Sequence, residues 1–178
     1  MLELRRSIPE SERSRRGVIV AERLKAMAEF KRSKVVALFY PIRGEVDLLS
    51  TLKKEEKLFC LPKVKGKRLL FGRVEQRLVE GSFGIPEPEV ADVDFEDIDL
   101  FAVPALAYDF DCFRLGYGGG YYDRLIKGRL PHQVFIGVAY DFQLVDSIGP
   151  EPWDAPVDVV LTESNIIYRA TATKLRGR

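Results

Sequence analysis

The chain has 178 residues, 46% of them hydrophobic, enough for one domain with a substantial core. Lys and Arg number 28 against 27 Asp and Glu. The net charge of +1 excludes a whole-protein field that would draw in nucleic acid or an anionic membrane. Charge is uneven along the chain, with ten basic and five acidic residues up to Lys34, and eight acidic and no basic residues between Glu80 and Leu100. Cys60 and Cys112 are far apart and fit no metal-ligand spacing, a pattern of reduced thiols. No apolar run reaches membrane-span length, and the N-terminus lacks a signal-peptide layout. The expectation is a cytoplasmic, monomeric protein with one domain over residues 1–178.

In chain order, Ser7-Ile-Pro-Glu10 has a capping-box pattern and predicts a helix to about Arg32, with Val20, Leu24 and Met27 on one face. Arg13, Arg15, Arg16 and Arg23 read as its solvated side. Lys34–Tyr40 is an apolar run ended by Pro41, a strand buried on both faces. A loop to Glu45, a short helix over Val46–Lys53 and a strand over Lys57–Leu61 follow, together a parallel unit. Ligands favour loops at the carboxyl ends of such strands, which singles out Tyr40 and Glu45. Capping of the next helix is the plainer role for Glu45.

Lys67–Arg73 predicts another strand and Phe83–Pro88 a rigid loop. The run Asp92–Asp99 resembles a calcium loop but lacks its glycine and closing glutamate, so it reads as a solvated linker. Leu100–Val103 is a strand ended by Pro104, Gln133–Tyr140 another, and Glu151–Pro156 an ordered loop. Val157–Leu161 and Asn165–Tyr168 close the domain as short strands. The tail from Thr171 has little to pack.

The stretch Arg114-Leu-Gly-Tyr-Gly-Gly-Gly-Tyr-Tyr-Asp-Arg124 carries the chemistry. It sets Gly116, Gly118, Gly119 and Gly120 ahead of a predicted helix beginning at Tyr121. Glycine loops let backbone N–H groups approach an anion, usually phosphate, and a helix N-terminus adds its dipole. The dinucleotide fingerprint fails because Tyr121 holds the sixth position, and the P-loop fails for want of Gly-Lys-Ser/Thr.

Asp123, on the helix's first turn, reads as a dipole partner or a magnesium ligand. Asp158 interrupts the apolar run Pro-Val-Asp-Val-Val-Leu, where a carboxylate must be paired or bind metal, so the two could share one ion. His132 is the single histidine, at a strand start, and supports neither zinc nor His-centred nucleophilic catalysis. Phe83 and Trp153 fit as loop anchors.

These segments together resemble the 5-formyltetrahydrofolate cyclo-ligase (5,10-methenyltetrahydrofolate synthetase) family. The resemblance rests on Val103–Asp109, Arg114–Arg124, Trp153–Asp158, Leu161-Thr-Glu163, Phe39–Glu45 and Phe83–Pro86. It implies an α/β fold with three α/β/α layers and a mostly parallel, Rossmann-like central sheet. It also implies an ATP- and magnesium-dependent ligase converting 5-formyltetrahydrofolate, polyglutamylated or not, to 5,10-methenyltetrahydrofolate with release of ADP and phosphate. By position, Arg114, Leu115, Gly116, Tyr117, Gly118, Gly119, Gly120, Tyr121 and Tyr122 would line ATP. Tyr40, Glu45, Phe83 and Tyr121 would contact the folate, and Asp123 and Asp158 would hold magnesium. Arg114 and Tyr121 are the candidates for a catalytic role.

Two positions depart from the family pattern. An early lysine has no counterpart, so Arg5 or Arg6 is the expected substitute. Cys112 stands where the family tends to place a glycine, a strained choice if the turn needs φ > 0. A non-catalytic nucleotide- or folate-binding module on the same fold is the alternative function. An NAD-dependent oxidoreductase and a nucleic-acid binder rank lower.

Overall fold

The computed structural model describes residues 1–170, so the tail expected to pack little lies outside the described residues. Three helices open the chain, α1 (Leu2–Ser7), α2 (Glu10–Ala26) and α3 (Ala28–Arg32). The capping box expected at Ser7–Glu10 does not form. Ser7 instead ends α1, its hydroxyl donating to the Leu4 carbonyl at 2.8 Å. Pro9 disfavours helical backbone at the residue before it, and Ile8 is extended with ψ 125°. A second break falls at Met27, which turns extended (ψ 142°) and buries its side chain, dividing the expected long helix into α2 and α3.

The remaining elements are β1 (Val35–Ala37), α4 (Leu49–Leu52), β2 (Leu58–Lys65), β3 (Arg68–Arg73), β4 (Leu78–Glu80), β5 (Pro86–Pro88), β6 (Leu100–Pro104), β7 (Ala107–Asp109), β8 (Arg114–Leu115), α5 (Tyr121–Lys127), β9 (Val134–Val138), β10 (Leu144–Val145), β11 (Val159–Leu161) and β12 (Ile166–Tyr168). Seven strands form the central sheet in the order β12-β11-β9-β6-β1-β2-β3. β11, β9, β6, β1 and β2 run parallel, and β12 and β3 are antiparallel edges. The loop expected over Phe83–Pro88 holds a strand in its second half. β5 pairs with β4 as a separate two-stranded ribbon, the kind of edge position where prolines are tolerated.

Alternation along the parallel strands explains the layers. Val36, Phe59, Leu61, Leu100 and Ile136 point into one apolar cluster with Val20, Leu24 and Phe30 of the opening helices. Ala37, Cys60, Phe101, Phe135 and Val160 point into the other, with Ile126 of α5 and Tyr108 of β7. Successive strand side chains face opposite ways, so an unbroken apolar run supplies both cores. The rings of Phe101 and Phe135 stack at 4.5 Å across neighbouring strands. The second outer layer is a composite, α5 beside a three-stranded sheet of order β10-β7-β8.

The acidic run is not merely solvated. Asp99 Oδ2 accepts from the N–H groups of Lys34 and Val35 at 2.7 and 3.0 Å, pinning the start of β1 beside β6. The chain leaves β1 for β2 on one side, whereas β6 leads to β9 on the other. The crevice between the carboxyl ends of β1 and β6 is thus a topological switch point, the usual ligand position in an open α/β sheet.

Candidate active site

The glycine loop reaches this crevice by a detour. After β6 the chain folds back across the second sheet face as β7, where the Tyr108 ring covers Gly137, then turns and returns as β8. Asp109, 1% exposed, organises the turn: its Oδ1 accepts from the N–H of Phe113 at 2.9 Å and of Asp111 at 3.1 Å. Its backbone carbonyl accepts from Cys112 N–H at 3.0 Å. Cys112 has φ +67°, so this turn does require the left-handed region that a glycine would occupy freely. Non-glycine residues there cost about 1–3 kcal/mol unless the surroundings impose the shape, and the Asp109 bonds supply that imposition. Burial pushes the Cys112 thiol up to about 11, away from reactivity.

The loop itself has a backbone that side chains would obstruct. Gly120 caps α5 at φ +63°, and a Cβ on Gly116 would lie 2.6 Å from Arg114 Nη1. Among the described residues no hydrogen bond engages the backbone N–H of Gly116 through Gly120. Arg114 lies beneath, 9% exposed, its guanidinium 5.5 Å from the Tyr122 ring and its Nη2 2.7 Å from Asp123 Oδ2. Its buried Nε has no hydrogen-bond partner among the described residues. Buried donors are nearly always paired in folded proteins. Five free amides and one unpaired guanidinium donor leave this loop with donors that anionic oxygens could take up.

One flank of the loop is polar. Glu45, 8% exposed, accepts from the Ile42 N–H at 3.1 Å and from the Tyr117 hydroxyl at 3.2 Å. Arg5, 1% exposed, donates to the Arg43 carbonyl at 2.9 Å, the Ala105 carbonyl at 3.2 Å and the Tyr117 oxygen, and stands 3.7 Å from Glu45 Oε1. A buried guanidinium without such partners would cost several kcal/mol. Burial pushes the Glu45 carboxyl up, while the Ile42 N–H, the Arg5 charge and the Tyr117 hydroxyl pull it back. Arg5 is thus engaged by the chain itself, as part of the loop's support.

The other flank is aromatic. Phe83 is 74% exposed and meets Tyr121 edge to face at 6.3 Å, and the Tyr121 hydroxyl donates to Gly66 O at 3.3 Å in the β2–β3 turn. Such an exposed pair offers a rim for a flat heterocycle. Tyr40 is half-buried against the first core cluster, and no hydrogen bond links it to Glu45 or the loop.

The two carboxylates expected to share magnesium are not brought together. Asp158 precedes β11 at the amino end of the parallel strands. Its Oδ1 pairs with Arg129 at 2.6 Å and Arg169 at 3.6 Å, and its Oδ2 accepts from Phe135 N–H at 2.9 Å. Both oxygens are spent on the chain, which is why a carboxylate is tolerated inside the apolar run. Asp123 stands by the loop at the carboxyl edge. Among the described residues no group of three or more His, Cys, Asp or Glu could hold a metal. Asp123 has Arg114 as its one ion-pair partner among the described residues, whereas both Asp158 oxygens are engaged by the chain.

A model of the 5-formyltetrahydrofolate cyclo-ligase family matches residues 1–163. The chain belongs to the 5-formyltetrahydrofolate cyclo-ligase family. Among solved structures, that of Aquifex aeolicus 5,10-methenyltetrahydrofolate synthetase is 42% identical with a TM-score of 0.85, covering 99% of this chain and 93% of that one. The 5,10-methenyltetrahydrofolate synthetase from Mycoplasma pneumoniae is 27% identical with a TM-score of 0.73, covering 91% and 93%. The Escherichia coli K12 5-formyltetrahydrofolate cyclo-ligase is 30% identical over 174 residues, 91% of this chain and 96% of that protein. The chain is therefore a ligase of folate one-carbon chemistry with the family's mixed α/β fold. No helix among the described residues is long and apolar enough to cross a membrane.

Three contributions of this cyclo-ligase site were not legible beforehand. Arg5 was one of two interchangeable candidates, the link from Tyr117 to Glu45 crosses 72 positions in sequence, and Asp109 was only part of a quoted motif. The nearest sequence signal was the Arg43–Gly44 turn: Gly44 has φ +77°, and a Cβ there would lie 3.0 Å from Arg5 O.

Proposed function

We propose that this cyclo-ligase binds the ATP phosphates on the Gly116–Gly120 amides and Arg114, and 5-formyltetrahydrofolate between Glu45 and the Phe83–Tyr121 rim. In this reading residues 1–178 act as one monomeric catalytic domain in the cytoplasm. The observation that carries it is the set of unengaged loop amides over a buried Arg114 whose Nε has no partner.

A formamide oxygen is a poor leaving group. Transfer of the γ-phosphoryl group to the formyl oxygen releases ADP and turns that oxygen into part of a phosphate ester. The second folate nitrogen attacks the formyl carbon, inorganic phosphate departs with the C–O electron pair, and the nitrogen loses its proton. The product is the methenyl bridge. No protein nucleophile is needed. The chain aligns two substrates and neutralises phosphate charge, work suited to fixed N–H donors and one guanidinium. Glu45, buried and held by two hydrogen-bond donors and the Arg5 charge, orients the folate's polar edge, and Phe83 and Tyr121 cover its ring. Asp123 would hold magnesium, which would supply further positive charge at the phosphates.

The protein mixed with ATP, magnesium and 5-formyltetrahydrofolate is expected to generate the absorbance of the methenyl product and one ADP per product. Folded protein giving no product above an enzyme-free control would remove the proposal.

A further inference from the structure

Tyr117 belongs to both halves of the site. Its main-chain N–H is one of the unengaged loop donors, while its hydroxyl accepts from Arg5 and donates to Glu45 Oε1 at 3.2 Å. Its ring is held on one side by the Arg43 guanidinium, 5.1 Å from the centroid. Any movement of the loop backbone at this residue therefore moves the hydroxyl that supports Glu45. Without that hydroxyl, Glu45 Oε1 would keep only Arg5 at 3.7 Å, beyond hydrogen-bond range.

We propose that Tyr117 is a positioning residue that couples the two substrates: nucleotide on the glycine loop fixes the Tyr117 hydroxyl, which fixes the Glu45 carboxylate for the folate. The inference rests on the proposed function and adds a thermodynamic link between its two subsites. The groups facing Glu45 are Arg5 from α1, Ile42 N–H and Arg43 from its own loop, Tyr117 from the glycine loop, Tyr108 from β7, Tyr122 from α5, and the Tyr140 hydroxyl, 3.5 Å from the Glu45 carbonyl. Tyr117 is the one neighbour among these that also lies on the loop proposed to bind phosphate. By reciprocity, each substrate must tighten the other by the same factor.

The test is Tyr117→Phe, which keeps the ring and its Arg43 contact and removes only the hydroxyl. In wild-type protein a non-hydrolysable ATP analogue is expected to tighten 5-formyltetrahydrofolate binding about 5- to 10-fold in calorimetry, within the usual range for coupled sites. The variant is expected to lose that enhancement and, by the same factor, the tightening of the ATP analogue by 5-formyltetrahydrofolate, while the ATP analogue measured alone binds within about 2-fold of wild type. Its acid limb should move to higher pH, because a donor to the ionised Glu45 carboxylate has gone. A merely structural role would instead lower the melting temperature and weaken each ligand measured alone, leaving the mutual enhancement in place. Arg5→Lys, which keeps the charge without the guanidinium fork, should lose the same enhancement if Tyr117→Phe does not fold.

Retention of the enhancement in the folded variant overturns the coupling. So does wild-type protein that binds both ligands with no mutual effect. Wild-type protein that binds neither ligand overturns the proposed function itself.

Discussion

Asp123 and Asp158 look alike in sequence, each a lone carboxylate beside apolar residues, yet the two ends of one sheet use them differently. Asp158, at the amino end, is consumed by two arginines and a backbone N–H. Asp123, at the carboxyl end, has one partner, Arg114, which itself keeps a free buried donor. At the amino end, side chains complete the fold's own hydrogen bonding. At the carboxyl end, the Gly116–Gly120 amides and Arg114 Nε are left without acceptors among the described residues. An ion-paired carboxylate is therefore no indication of metal until its remaining lone pairs are counted.

The largest expected effect comes from the carboxyl end. Asp123→Asn should reduce turnover roughly 10- to 100-fold at limiting magnesium, with partial recovery as magnesium is raised. Its melting temperature should fall too, because the buried Arg114 guanidinium loses its paired charge, but the rate measured below the transition is the larger effect. A magnesium titration of initial rates measures this. Superimposable titrations of variant and wild type would place the metal elsewhere and erase the functional side of the comparison.

Asp158→Asn should do the reverse. The pair with Arg129 is about a quarter exposed on each side, so its loss, with weakened bonding to Phe135 N–H, should cost about 1–2 kcal/mol of stability. Turnover below the melting transition should stay within about 2-fold. Urea unfolding and steady-state rates decide it, and a large rate loss without destabilisation would restore Asp158 to the metal site.

The strands are legible because each apolar run between breakers supplies both faces of a covered sheet: β1, β9 and β11 fall inside their expected segments, and β6 overruns its own by Pro104. The opening helix was misread where Ser7 and Glu10 imitate a cap around a proline that separates two helices. β5 was missed because Pro86 and Pro88 argue against a strand, except at an edge. In the site, the glycine loop and Glu45 are local signals. Arg5 is not, because arginine is almost never fully buried unless paired, and its pairing depends on segments 38, 100 and 112 positions away. Cysteine at position 112 speaks against a left-handed turn, which forms all the same because Asp109 enforces it.

Asp141 refines the comparison, since it follows β9 at the carboxyl end and is nevertheless structural. Burial pushes its carboxyl up, but donors from Ser164, Thr162 and Asn165 outweigh this and hold it below the usual carboxylate range. A carboxyl with a lowered folded-state pKa contributes stability above its unfolded pKa, near 3.9, and loses it as pH falls through the folded value. Asp141→Ala should therefore cost about 1–2 kcal/mol at pH 7, the scale of lost hydrogen bonds to a charged group. The gap to wild type should narrow as pH drops below about 4. Unfolding midpoints measured from pH 7 to pH 3 test the sign. A gap that widens toward acid would mean that the Asp141 bonds favour the protonated carboxyl, and location at the carboxyl edge would then become the better guide to titratable, site-forming groups.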